Sequence, residues 1–243
     1  MRLMAMAALV LLTASSALAQ TADEVIEKHL AAMGGREALG RIRSRVVSGS
    51  LTLTTAFGPV SGTVEVFSKV PNKNRTLVKI DASALGAGQI VNDQRFDGMS
   101  GYVIDTLNGD REVTGVQLEA MRNSAFPSPW LDYRSRGVTV AIVGKEALAG
   151  REAYVLETTP QTGPRGRTWI DAETFLPLKT AATVDVPQLG QIEQVTEFSD
   201  YRTVDGLKIP FSVKTSNPVQ TSTTVVADVK HNVEVDDGMF GKP

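Results

Sequence analysis

The sequence predicts a mainly β protein: a strongly curled antiparallel sheet with an N-terminal helix and one helical insert. From about Arg45 onward, apolar residues recur at every second position, as in strands with one buried face. Turn-forming pairs such as Asp97-Gly98 and Asn108-Gly109 separate these segments, and such short turns join antiparallel neighbours. Roughly ten or eleven strands are expected, which is more than an open twisted sheet usually holds without curling.

The first nineteen residues have the pattern of an export signal. Arg2 precedes an apolar run, Leu3 to Leu12, and Ala17-Leu18-Ala19 is a small-x-small cleavage site. The mature chain is therefore expected to begin at Gln20, outside the cytoplasm. The sequence contains no cysteine, so we expect neither lipidation of the mature terminus nor a disulfide or thiolate site.

The charge gives no reason to expect a nucleic-acid partner, and the hydropathy gives none to expect a membrane-spanning helix. The net charge is −2, with no block of like charges, so nothing favours nucleic acid. The leading apolar run is too short to cross a bilayer comfortably, and no later segment approaches the roughly 20 apolar residues of a membrane helix.

The mature chain opens with a helix. Thr21 and Glu24 have the spacing of a capping box. One apolar stripe follows, and it consists of Val25, Ile26, Leu30 and Met33. Gly34-Gly35 ends this helix, and a second short helical turn is expected over Arg36 to Ile42.

The last strand shows the clearest alternation. Its odd positions place one set of residues on a single, largely apolar face: Thr223, Val225, Ala227, Val229, His231, Val233 and Val235. Val226 is the apolar exception on the polar face. The apolar face meets either a side-chain core or a ligand.

One segment, residues 115–136, breaks the β pattern. A short amphipathic helix containing Leu118 and Met121 precedes a stretch that concentrates aromatic residues between Phe126 and Tyr133. One interpretation is a surface crossover whose apolar side caps the sheet. The other is a mobile lid over a hydrophobic cavity, because methionine and aromatic side chains suit a surface that covers variable apolar ligands.

No arrangement of residues for catalysis is evident. His29 and His231 lack neighbours at metal-ligand spacing, Ser100 lies in a hairpin turn, and no phosphate-binding or dinucleotide motif is present. We therefore expect no enzyme activity, no metal and no cofactor. His231 interrupts an apolar strand face, where it either packs with a ring nitrogen bonded to backbone or water, or binds a ligand head group.

The mature chain resembles the LolA-like outer-membrane lipoprotein-sorting proteins over almost its whole length. The segments that carry the resemblance are Asp23–Ile26 with Met33–Leu39, Phe96–Tyr102, Val143–Glu146 with Gly150–Tyr154, Ile170–Thr174, Phe198–Arg202 with Asp205-Gly206 and Pro210-Phe211, and Asp236–Phe240.

The resemblance implies one domain over residues 20–243: a half-open antiparallel β-barrel around a hydrophobic cavity, with a helical lid. Such a protein carries lipid or lipoprotein acyl chains through the periplasm without chemistry and exchanges them with a membrane-anchored donor or acceptor protein. An arginine on an early strand would hold the lid closed, and Arg43 and Arg45 are the candidates. The candidate cavity and lid residues are Leu51, Leu53, Val64, Val66, Leu118, Met121, Phe126, Trp130, Leu131, Tyr133, Phe211, Val225, Val229 and His231.

Two other functions stay open at this stage. The same cavity could bind a different apolar small molecule. Alternatively, the chain could be a regulatory module of the cell envelope that acts through a protein partner.

Overall fold

The computed structural model describes residues 20–56, 58–83, 86–186 and 190–243. The predicted signal peptide, residues 1–19, lies outside this range. Within it, every helix is too short or too polar to span a membrane.

Three α-helices and thirteen strands make up the described part of the chain. The helices are α1 (Ala22–Ala32), α2 (Arg36–Gly40) and α3 (Gly115–Asn123), and the chain ends after a 3-10 turn, Asp237–Phe240. The strands are β1 (Ser44–Thr55), β2 (Gly58–Lys69), β3 (Lys73–Asp81), β4 (Gln89–Phe96), β5 (Gly101–Asp105), β6 (Arg111–Val113), β7 (Thr139–Leu148), β8 (Arg151–Thr159), β9 (Gly166–Asp171), β10 (Pro177–Val186), β11 (Gly190–Val204), β12 (Leu207–Ser216) and β13 (Thr221–His231).

All thirteen strands form one antiparallel sheet in the order β6-β5-β4-β3-β2-β1-β13-β12-β11-β10-β9-β8-β7. The chain thus makes two meanders, β1 to β6 and β7 to β13, which pair through the first and last strands. The sheet is open, with β6 and β7 at its two edges, and α3 lies between these edges in sequence. The predicted mainly β, antiparallel, unclosed architecture is confirmed.

Two glycines mark where the strands crowd together near the centre of the sheet. Gly49 on β1 pairs with Val64, and Gly62 on β2 pairs with Leu51. A Cβ at Gly49 would lie 2.4 Å from the carbonyl oxygen of Val225, and one at Gly62 would lie 2.2 Å from that of Lys79. Side chains are therefore excluded at both positions, as is common where backbones approach closely or a sheet bends.

The main core lies on the inner face of the sheet, the face that α1 covers. The predicted capping box is formed, with the Thr21 and Glu24 side chains each accepting from the other's backbone N–H. Val25 and Ile26 are fully buried. They pack with inner-face residues of β8, β9, β12 and β13, which are Leu156, Ile170, Leu207, Ile209, Phe211, Val226 and Val229. A second inner cluster on β1 to β3 contains Leu51, Val60 and Ile80.

The predicted face of the last strand is wrong for half of its length. Asp228 pairs with Ser48 and Val226 pairs with Gly49, so Ala227 is an extra residue in a β-bulge. The bulge reverses the alternation, because one additional residue moves every following side chain to the opposite face. Val229 and Val226 are buried inward, whereas Val225 is 51% exposed on the outer face and does not belong to the cavity set.

Candidate functional site

Helix α3 bridges the two halves of the sheet and has no buried residue. On one side, the Asn72 side-chain amide, in the β2–β3 turn, donates to the carbonyl oxygens of Met121 and Arg122 at 3.2 and 3.0 Å. On the other side, the Thr162 hydroxyl, in the β8–β9 loop, donates to Glu119 at 2.5 Å. The helix is thus tied to both halves by polar contacts instead of buried apolar ones.

An apolar hollow of about 370 Å³ lies between the insert and strands β7 to β10. Trp130, Tyr133, Val138 and Val140 line it together with Ala120 of α3, and Arg136, Arg165 and Arg167 lie around them. A mostly apolar lining with a few polar groups is the composition of small-molecule sites of this size.

A second, polar hollow of about 430 Å³ lies on the other side of α3, against β4 to β6 and β10 to β11. Its lining is rich in side-chain amides, including Asn92 and Gln94. Ala120, Ser124 and Thr183 line both hollows, so the two hollows adjoin between the end of α3 and β10.

The chain after α3 is anchored far more firmly than the helix itself. Trp130 and Tyr133 are 8% and 9% exposed and belong to the main core. The Tyr133 hydroxyl donates to Asp23 of α1, which also pairs with Arg134. The insert therefore has two parts: a weakly covered helix and a buried anchor, residues 126–134.

Solved structures of other proteins share this architecture. A LolA superfamily protein from Nitrosomonas europaea superposes with a TM-score of 0.57 over 92% of this chain and 99% of its own, at 16% identity. The chain has a LolA-like fold. A DUF1329 family protein from Desulfovibrio piger superposes with a TM-score of 0.57 over 90% of this chain and 96% of its own, at 14% identity. A domain from Vibrio parahaemolyticus, described as an outer membrane lipoprotein-sorting protein domain, superposes with a TM-score of 0.56 over 89% of this chain and 94% of its own, at 12% identity.

Sequence comparisons say less about the relatives of this chain than the solved structures do. A family model described as an uncharacterized protein matches residues 132–243. No curated protein matches the sequence. The likeness to LolA-like proteins is therefore a likeness of structure, and at these identities it concerns the fold alone.

Of the two arginines considered for a lid contact in the LolA-like fold, Arg45 faces the insert. Its guanidinium carbon lies 5.4 Å from the centre of the Phe126 ring, within cation–π range. Burial lowers the pKa of Arg45 to about 10. Arg43 contacts the end of β13 instead, where its backbone N–H donates to Asn232 at 2.7 Å.

His231 is held from both sides by protein groups. The Arg45 Nε–H donates to Nε2 of His231 at 3.1 Å, and Nδ1 lies 3.0 Å from the Asp205 carboxylate. A carboxylate only accepts, so Nδ1–H of His231 donates to Asp205 while Nε2 accepts from Arg45. Neither ring nitrogen is left for a ligand head group, so His231 positions Arg45 beneath Phe126.

The structure places the remaining candidate residues in different parts of the molecule. Met121 lines the polar hollow, and Trp130 and Tyr133 line the apolar one. Phe126, Leu131, Phe211 and Val229 belong to the main core or pack against it, while Leu51 and Leu53 belong to the second inner cluster. Val64 and Val66 lie on the inner face of β2, and Leu118 is half-buried on α3.

The sequence reasoning missed the polar hollow. Its residues on β4 to β6 include polar side chains opposite apolar positions of neighbouring strands: Asn92 pairs with Val78, and Gln94 and Arg111 both pair with Val103. The available signal was the register of the β3–β4 hairpin, which pairs Asn92 with the inner-face residue Val78. Within the described ranges, no three His, Asp or Glu side chains come together as a metal site.

Proposed function

We propose that this protein is a non-enzymatic periplasmic carrier that holds lipid or lipoprotein acyl chains in the apolar hollow beneath α3. The observation that carries the proposal is the position of this hollow, about 370 Å³, beside a helix that has no buried residue. The export-signal pattern and the LolA-like fold support it.

The contacts of α3 are suited to opening. The helix is held by side-chain hydrogen bonds near the surface, and water can replace such bonds at a net cost of about 0.5 to 1.5 kcal/mol each. Elements with little apolar burial open most readily, because opening exposes little apolar surface. The buried anchor at Trp130 and Tyr133 would then keep the insert attached while α3 moves.

A binding measurement tests the cavity. N-phenylnaphthylamine should bind the mature chain and be displaced by palmitate or by a diacylated lipopeptide, and the stronger competitor indicates the cargo class. Ala182 lines the hollow, whereas Ala141 is exposed on the other face of the sheet. Ala182→Phe should weaken dye binding roughly tenfold by filling the hollow, and the matched variant Ala141→Phe should not. Equal dye binding by the two variants would show that the dye does not bind in this hollow.

A cross-link tests the lid. The chain has no cysteine, so Glu119→Cys with Thr162→Cys introduces the only thiol pair at a contact that closes α3. Oxidation to the disulfide should slow ligand release, and reduction of the disulfide should restore it. Each single-cysteine variant is the control. Release at the same rate in the locked and reduced proteins would show that α3 is not a gate.

A further inference from the structure

The polar hollow contains a buried donor that makes no hydrogen bond. Nη1 of Arg111 is buried and, in the part of the chain that the structure describes, has no hydrogen-bond partner. The closest carboxylate oxygen, Oδ2 of Asp105, is 3.7 Å away, beyond hydrogen-bond distance. A buried donor without a partner costs stability unless water or a ligand satisfies it.

Asp105 leaves this donor unpaired because its carboxylate is already engaged. One oxygen accepts from the backbone N–H groups of Leu107 and Asn108 at 2.9 and 3.1 Å. The other accepts from the side-chain amides of Asn92 and Asn108 at 3.1 and 3.0 Å. Burial by itself would raise the pKa of Asp105, but these hydrogen bonds more than offset it and lower the pKa below its usual value. Asp105 is thus a fixed anion beside Arg111.

The rest of the hollow is rich in side-chain amides, and some of them are free. Seven of its fifteen lining residues are Asn or Gln. Among the described residues, the side chains of Gln117 and Gln194 make no hydrogen bond to protein, although both are half-buried. Each such amide can both donate and accept, which suits hydroxyl and carbonyl oxygens.

The charge of the lining disfavours an anion. Arg111 contributes one positive charge, whereas Asp105 and Asp185 contribute two negative ones. A phosphate or carboxylate in this hollow would therefore face a net negative surrounding, despite the arginine.

We propose that the polar hollow binds the uncharged, hydroxyl- or carbonyl-rich head of an amphiphile whose chain occupies the adjoining apolar hollow. A single ligand is proposed because the two hollows adjoin at Ala120, Ser124 and Thr183. The head would accept from Arg111 and exchange hydrogen bonds with Gln94, Gln117 and Gln194. This inference rests on the proposed function and names the class of its ligand.

Competition between amphiphiles with the same chain tests the inference. Dodecyl maltoside and dodecyl phosphate, each below its micelle concentration, and dodecanol, below its solubility limit, compete with N-phenylnaphthylamine on the mature chain. Dodecyl maltoside should bind about tenfold more tightly than dodecanol, because its hydroxyls satisfy the buried donor and free amides. Dodecyl phosphate should gain less affinity over dodecanol than dodecyl maltoside does, because its charge faces the net negative lining.

Variants assign the effect to the polar hollow. Arg111→Met and Gln94→Leu should each reduce the maltoside's advantage over dodecanol without changing dye binding, and melting curves show that each variant is folded. Gln89→Leu, at an exposed site on the same strand, is the matched control for Gln94→Leu. Equal competition by maltoside and dodecanol, or tightest binding of the phosphate, overturns the inference while leaving the carrier intact. An absence of dye binding contradicts the proposed function itself.

Discussion

Replacing Trp130 with alanine tests whether the second half of the insert is a structural anchor. The indole is 8% exposed, and its ring centre lies 5.6 Å from that of His29 in the main core. Burial of roughly 200 Å² of indole surface at about 25 cal/mol/Å² corresponds to about 5 kcal/mol. The ring also borders two hollows, of about 370 and 250 Å³, so some of its surface faces open space already. We therefore expect a loss of about 3 kcal/mol, at the lower end of measured Trp→Ala effects.

The assay is urea unfolding followed by circular dichroism. Tryptophan fluorescence is unsuitable, because the substitution removes one of the two tryptophans of the chain. Leu118→Ala is the comparison, since Leu118 lies on α3, where no residue is buried. It should cost about 1 kcal/mol or less. Equal losses at the two positions, or a loss below about 1 kcal/mol at Trp130, would refute the division of the insert into a weakly covered helix and a buried anchor.

Two further predictions concern buried charges. Asp93 is 3% exposed and accepts from Arg75 and Arg95, so Asp93→Asn should cost about 3 kcal/mol at neutral pH. Burial tends to raise the pKa of Asp93, but the two arginines lower it below its usual value, so the stabilisation is present above about pH 4 and lost as pH falls through the folded-state pKa. Urea unfolding of both proteins at several pH values should show the difference shrinking in acid, and a constant difference would contradict this reasoning. For Arg45, burial lowers the pKa to about 10, so folding disfavours its charge at neutral pH and this cost disappears as pH rises through that value. The free energy of unfolding of the wild-type protein should therefore rise by about 1 kcal/mol relative to that of Arg45→Met between neutral pH and about pH 11. A difference between the two proteins that does not change with pH would contradict the burial of this charge.

Local patterns in the sequence were enough to predict much of the fold. The Thr21–Glu24 capping box depends on residues three positions apart, and it forms as the spacing predicts. Period-two alternation and turn residues predicted the antiparallel meanders, since both depend on neighbouring residues alone. The helix within residues 115–136 was found because its period differs from that of the strands.

The candidate site was less accessible from sequence. Trp130, Tyr133 and Met121 line the hollows because they lie in the insert, which the pattern singled out. The apolar strand residues on β1, β12 and β13 instead fill clusters of side chains, and alternation cannot distinguish a filled core from an open space. Both require the same apolar inner face.

The sequence by itself determined where the helix caps, turns and strands lie, because these depend on interactions between residues close in the chain. Tertiary structure alone decided three other features: the bulge at Ala227 that turns Val225 outward, the contact between Arg45 and His231, and the buried Nη1 donor of Arg111 that makes no hydrogen bond. Each depends on the register between strands or on atoms brought together from distant parts of the chain. Arg45 and His231, for example, are 186 positions apart, and only the pairing of the first and last strands places them 3.1 Å from each other.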